Sequence, residues 1–151
     1  MACEYTYRRI VQFADTDHAG IIHFPRFLCF VEEAEHAFLR SLGLSVHSSE
    51  EEGVVSFPRL SARIEYRSSA SFEDEIAVHI WLHRKGTKTL TYQFRVLEEE
   101  RLLALGEIVC IACLFAKEGV GGEMRSCKLP ARFDNALEEA PHSPLEFHDK
   151  K

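Results

Sequence analysis

Apolar residues return at steps of three and four along PRFLCFVEEAEHAFLRSLG, so that Phe27, Phe30, Val31, Ala34, Phe38 and Leu42 fall on one stripe. That period predicts an amphipathic helix. Pro25 suits its first turn and Gly43 its end. At about 18 residues and 1.5 Å each, the helix would be about 27 Å long, enough to cross a whole sheet. Upstream, EYTYRRIVQF (Glu4 to Phe13) mixes aromatic and β-branched residues with charges, which predicts a strand. After a polar connection, SVHSSEEEG, the pattern becomes that of strands: Val54 to Arg67, Glu75 to Lys85, Lys88 to Glu98 and Arg101 to Phe115. Short turns at Gly86–Thr87 and Glu98–Glu100 make them an antiparallel meander. Alternation in Ile76, Val78, Ile80, Leu82 and in Leu90, Tyr92, Phe94, Val96 marks one buried face. The run Ile108 to Phe115 is apolar on both faces, which predicts that another subunit covers its second face. Leu129 to Ala140 is expected to hold a short helix, and residues 141–151 to form a flexible tail. One strand, one long helix and four strands predict a single α+β domain over residues 1–140, a five-stranded antiparallel sheet wrapped round one central helix.

Composition narrows the class of function. The 151 residues carry 18 Lys+Arg against 24 Asp+Glu, a formal net charge of −6, and 46% are hydrophobic. A chain so apolar folds rather than staying disordered. Its acidic balance argues against nucleic acid as a partner. No apolar run reaches the ~18–20 residues of a membrane span, and MACEYTYRRI holds no signal-like apolar stretch, so a cytoplasmic location is expected. The five cysteines, an odd number scattered through apolar segments, read as small core residues of a reduced compartment. Cys110 and Cys113 form a C-x-x-C, but on a strand positions i and i+3 face opposite ways, which weakens a zinc or redox reading.

Reactive groups concentrate in one loop before the helix, Asp15-Thr16-Asp17-His18-Ala19-Gly20-Ile21-Ile22-His23-Phe24-Pro25. A helix N-terminus offers unpaired N–H groups that polarise a carbonyl oxygen. A carboxylate within reach could attack that carbonyl or activate a water, and Gly20 lets the backbone turn tightly. The same D-x-D spacing also serves plain turn and capping chemistry. Asp15, Asp17 and Gly20 match positions 1, 3 and 6 of a calcium loop, which fails at Ala19 and at Arg26 in place of the bidentate Glu. His18 and His23 with Asp17 lack a further ligand for a metal, so no metal is expected.

The stretch FADTDHAGIIHFPRFLCFVEEAEHAFLRSLGL resembles the signature of hotdog-fold acyl-CoA thioesterases of the 4-hydroxybenzoyl-CoA thioesterase family, D-x-D-x-x-G-[IV]-[IV]-x-[YFH] running into a long helix. The order of elements over residues 4 to 116 is similar too. The resemblance implies hydrolysis of an acyl- or aryl-CoA thioester without a metal or separate cofactor, coenzyme A being part of the substrate. It implies a homodimer or homotetramer with active sites between subunits. It makes Asp17 the catalytic carboxylate, as nucleophile or general base, with the Phe24 N–H holding the thioester oxygen, Gly20 shaping the loop and Asp15 orienting it. His23 stands where relatives carry Tyr or Trp, and is either in contact with the acyl group or a packing residue. Glu32 stands where family members commonly carry an acid; Glu33, His36 and Arg40 lie opposite the apolar stripe, on a solvated or partner-facing surface. For the coenzyme phosphates, the turn RKGTK offers Arg84, Lys85, Lys88 and Thr89, with Arg59 and Arg63 weaker candidates; the same turn reads equally as a solvated hairpin tip. Phe24, Phe27, Phe57 and Tyr66 are candidates to line an acyl pocket, or core. Two rival functions remain: a non-catalytic hotdog module that binds acyl chains or coenzyme A or acts as a scaffold, and a dehydratase or hydratase acting on hydroxyacyl thioesters.

Overall fold

The structure is a computed structural model and describes residues 1–115 and 123–148. In chain order its elements are β1 (Glu4–Ile10), a 3₁₀ turn (Phe13–Asp15), α1 (Arg26–Ser41), β2 (His47–Glu50), β3 (Gly53–Ser56), β4 (Arg59–Tyr66), β5 (Glu75–Lys85), β6 (Thr89–Glu98), β7 (Arg101–Ile111), β8 (Cys113–Phe115), β9 (Met124–Ser126) and α2 (Ala131–Ala136). The main sheet has the order β1-β5-β6-β7-β4, antiparallel throughout. Its inner face, carrying Ile76, Val78, Ile80, Leu90, Tyr92, Phe94, Val96 and Ile108, packs on the buried stripe of α1: Phe27, Phe30, Val31, Ala34 and Phe38. The five strands round one helix are those predicted. Burying the large apolar side chains on both elements is the main favourable term, at roughly 1.5–3 kcal/mol for each one removed from water.

A second sheet, β2-β3-β8-β9, was not expected. It arises because two expected long strands each break. Val54 to Arg67 divides at Phe57 and Pro58, since proline offers no N–H to a ladder and the chain turns there from one sheet to the other. Arg101 to Phe115 divides at Ala112, whose N–H turns to the Lys88 carbonyl. The two breaks lie side by side, with the Ile111 N–H donating to the Pro58 carbonyl. β2 sits inside the predicted polar connection, and Ser48 is the one buried residue of this strand, so apolar alternation gave no sign of it.

The outer side of the main sheet is covered in part by the chain itself: Leu105 of β7 and Trp81 of β5 are buried against Ala140 and Leu145, while Val109 and Ile111, the outward residues of the run expected to meet another subunit, are half-buried. The segment expected to be a flexible tail is described as far as His148, and it lies along this face. The Ala140 N–H donates to the Leu82 carbonyl, the Leu145 N–H to Gln93 Oε1 and the His148 N–H to Glu65 Oε1. Residues 149–151 lie outside the described part.

Gly106 on β7 lets β4 come close. A Cβ built there would stand 2.2 Å from the Arg63 carbonyl oxygen and 2.4 Å from the Phe94 ring. Gly106→Ala therefore has to push β4 or Phe94 aside, and should cost about 1–3 kcal/mol or more. Urea denaturation checks this; an unchanged midpoint would contradict the packing.

Candidate active site

The loop between β1 and α1 is fixed by one buried carboxylate. Asp15 is 1% exposed. It accepts hydrogen bonds from the Arg9 guanidinium, from Arg26 (Nε at 3.0 Å and NH2 at 2.7 Å) and from the Gln12 N–H at 2.8 Å. Arg9 also grips Glu33 at 2.7 Å, and Glu33 accepts the Tyr7 hydroxyl at 3.1 Å. The Arg9 guanidinium lies 4.2 Å from the Phe30 ring centroid. One cluster thus joins β1, the loop and the first turns of α1. Burial alone would raise the Asp15 pKa; the Gln12 N–H and the guanidinium groups of Arg26 and Arg9 outweigh it and hold the carboxyl below its ordinary range.

Beyond this anchor the chain makes a narrow excursion. Thr16 and Ile22 form an antiparallel bridge, and the Asp17 N–H donates to the Ile21 carbonyl at 3.0 Å. At its tip, Asp17 Oδ1 accepts the Ala19 N–H at 2.8 Å and the Gly20 N–H donates to the Asp17 carbonyl at 2.9 Å. Gly20 has φ +79°, a left-handed conformation in which a Cβ is strained. The return strand is tied down by Ile22 N–H to the Ala70 carbonyl and His23 N–H to the Asp15 carbonyl. Asp17 therefore points away from the anchor, with Oδ2 3.6 Å from Nδ1 of His23.

The next residue differs from its neighbours. Among the described residues the Phe24 N–H has no acceptor, while its carbonyl takes the Tyr66 hydroxyl at 3.0 Å. It lies at the positive end of α1, where unpaired N–H groups favour a partially negative oxygen. The Phe24 ring, 64% exposed, meets Tyr66 edge-on at 6.3 Å, and Tyr66 meets buried Phe27 at 5.4 Å. Burial pushes the Tyr66 phenol up, so it stays a neutral donor. The loop thus carries a free N–H and a solvent-reaching carboxylate, and Phe24 at its end meets Tyr66 of β4, which in turn meets Phe27 of α1.

Residues 11–139 match the thioesterase-like superfamily. The chain belongs to that family. The 1,4-dihydroxy-2-naphthoyl-CoA hydrolase of Synechocystis is 28% identical over 142 residues, covering 91% of this chain and 97% of its own length. The hydrolase of the same name from a Synechococcus is 28% identical over 135 residues, 86% of this chain and 87% of its own. The crystal structure of a 1,4-dihydroxy-2-naphthoyl-CoA thioesterase from Synechocystis superposes with a TM-score of 0.76 at 26% identity, covering 88% of this chain and 94% of that one. The hotdog architecture is shared.

Within this hotdog thioesterase, Asp17, Gly20, His23 and Phe24 all lie in the loop between β1 and α1, with Asp17 and His23 3.6 Å apart. Arg84, Lys85, Lys88 and Thr89 do not join them. β5 starts beside the loop, where the Val11 N–H meets the Asp74 carbonyl, and runs 11 residues away from it, which is about 33 Å at roughly 3.3 Å per residue. At that far end Lys85 is taken up by the carbonyls of Asp134 and Leu137, both at 2.8 Å, and Lys88 donates to the Ser126 hydroxyl at 3.1 Å. Arg84 flanks a shallow hollow with Thr91 and Glu139, and Thr89 pairs with Ile111 in the sheet. Arg63 lies 4.1 Å from the Phe147 ring centroid. Phe57 is core, 4.9 Å from Phe133.

The acids of α1 also sort themselves. Glu33 faces β1 and not solvent or a partner alone, as its bonds to Arg9 and Tyr7 show. Glu32 is exposed, 3.7 Å from Arg59, and borders a cleft of about 380 Å³ with His36, His47 and Pro58. Glu35, which sequence reasoning passed over, is 2% exposed and bonded through both oxygens to Arg59 at 2.7 Å. Its position four residues after Val31 and three before Phe38 placed an acid on the apolar stripe, a signal available in the sequence. Burial first, then the Glu35 charge, push the neighbouring Cys110 thiol up to about 12, so that cysteine stays protonated.

Asp15→Asn leaves two guanidinium groups without their buried partner, and should cost about 3–5 kcal/mol. Because the carboxyl is lowered in the folded state, its contribution is present above the ordinary carboxylate pKa of about 3.9 and is lost as pH falls through the lowered value. Denaturation midpoints measured down the acid range should converge for native chain and variant; a constant gap would contradict the assignment.

Proposed function

We propose that this thioesterase hydrolyses an aryl-CoA thioester, releasing free coenzyme A and a carboxylic acid, with 1,4-dihydroxy-2-naphthoyl-CoA the first substrate to test. The observation that carries the reading is the unpaired Phe24 N–H at the start of α1, one residue after His23, whose Nδ1 stands 3.6 Å from Asp17 Oδ2. The thioester carbonyl oxygen would accept that N–H, and the charge that develops on it would be stabilised by the start of α1. Asp17 would either attack the carbonyl carbon, expelling the thiolate and leaving an anhydride that water opens, or take a proton from the water that attacks. Both routes use only the chain's own groups, and coenzyme A enters as part of the substrate. Phe24, Phe27 and Tyr66 support an aryl ring, as do the names of the relatives that cover most of the chain.

The active unit in this reading is a pair. β4 is an edge of the main sheet with Arg59 to Arg63 exposed, and an unpaired edge is a ready template for another strand. Antiparallel pairing of β4 with its copy would set the partner's Arg59 beside Tyr66. It would also turn the partner over, bringing its Arg84–Thr89 end to the side of Asp17, where the coenzyme phosphates would need cations. We place this work in the cytoplasm; the five cysteines are unpaired, and no helix among the described residues is long and apolar enough to cross a membrane.

Asp17→Asn retains an oxygen for the Ala19 N–H, so the tip should keep its shape while kcat on an aryl-CoA falls about 10²-fold or more. Release of thiol by the variant at the native rate would remove Asp17 from the mechanism. Sedimentation equilibrium of the native chain should give about twice the chain mass of 17.3 kDa or a multiple of that pair; a monomer that turns over at full rate would refute the shared site.

A further inference from the structure

On the outer face of the main sheet, far from the loop, three side chains converge from distant parts of the chain. Glu4 begins β1, His79 lies in β5 and His142 belongs to the segment after α2. Nε2 of His142 stands 2.6 Å from Glu4 Oε2, and Nε2 of His79 stands 2.8 Å from the same oxygen. All three donor atoms lie within 4.8 Å of one another. The rings are set by packing: His142 is edge-on to His79 at 5.8 Å and to Trp81 at 5.3 Å, and His79 lies 5.1 Å from Trp81. The three side chains are 44%, 25% and 36% exposed in chain order, so solvent reaches the point where they meet. No Lys or Arg among the described residues forms an ion pair with Glu4.

We propose that Glu4, His79 and His142 bind one divalent transition-metal ion of the zinc type, which fastens residues 140–148 to the sheet. Two imidazole nitrogens and one carboxylate oxygen are three of the four ligands of a tetrahedral zinc site, and the open side admits a water as the fourth. Metal–ligand bonds of about 2.0–2.2 Å in a tetrahedron put the donors about 3.3–3.6 Å apart, so the Glu4 oxygen must draw back from the two imidazole nitrogens by roughly 0.5–1 Å. The exposed Glu4 side chain can give that much. On binding, each neutral imidazole presents the Nε2 lone pair to the ion and carries its proton on Nδ1, and Glu4 stays a carboxylate. The ion would then bridge β1, β5 and the segment that buries Trp81 and Leu105. A mixed nitrogen and oxygen set suits Zn²⁺ and Co²⁺ better than Mg²⁺ or Ca²⁺.

The test is titration of the full chain with Co²⁺, followed by visible absorption, and with Zn²⁺ by equilibrium dialysis. The expected result is one equivalent bound with a Kd on the order of 1 µM, a tetrahedral cobalt spectrum without a thiolate charge-transfer band, and affinity lower by about 10²-fold in both His142→Gln and Glu4→Gln. Hydrogen exchange supplies the second readout. Zn²⁺ should slow exchange of the Ala140, Leu145 and His148 amides in the native chain and leave it unchanged in His142→Gln. No binding by the native chain at 100 µM metal, affinity unaltered in His142→Gln, or a thiolate band that assigns the ion to cysteine would each overturn the proposal. His142 lies outside every helix and strand, so its variant leaves the sheet intact as the control.

Discussion

A carboxylate sealed under two guanidinium groups governs the geometry of everything near the reactive loop. Asp15 has almost no contact with water, and such a charge survives burial only when paired and hydrogen-bonded. Arg9, Arg26 and the Gln12 N–H meet that requirement, and in doing so they bind the end of β1 to the beginning of α1. Two residues further on, across the Thr16–Ile22 bridge, the second aspartate of the D-x-D has no such enclosure. The division of labour between the two acids follows from this. One is spent on holding the bend, and the other projects from it towards His23, the residue before an N–H that the helix leaves unpaired.

The fold was legible where periodicity was strong. The stripe from Phe27 to Phe38 and the alternation in Ile76 to Leu82 and in Leu90 to Val96 identified the helix and the centre of the sheet, because burial on one face leaves a regular trace. The breaks at Pro58 and Ala112 left a weaker trace. Pro58 was visible but stood within an otherwise regular run, and the bend at Ala112 depends on the Lys88 carbonyl, a contact between distant residues. β2 was invisible because HSSE is held by backbone pairing with β3 and by Arg132, 82 residues beyond Glu50, rather than by an apolar face. At the site, the motif singled out Asp17, Gly20, His23 and Phe24, which the loop between β1 and α1 carries. Glu35 was missed because an acid in a row of acids reads as solvated surface until its partner Arg59, 24 residues away, is placed.

The cations of the Arg84–Thr89 turn show where a single-chain reading ends. Sequence chemistry marked them for phosphate, yet β5 carries them to the opposite end of the sheet, and α2 engages Lys85. In the proposed pair their use would depend on symmetry, which no linear pattern encodes. Antiparallel pairing of two β4 edges would exchange the ends of the molecule and make such a separation useful.

The segment from Ala140 to Phe147 has a consequence for architecture. By lying over Trp81 and Leu105, it takes that apolar patch away from any neighbouring molecule. Further along the same face, the hollow between Arg84, Thr91 and Val109 stays open. The chain thus shields its own indole and leaves the more polar part of the sheet to meet whatever adjoins it.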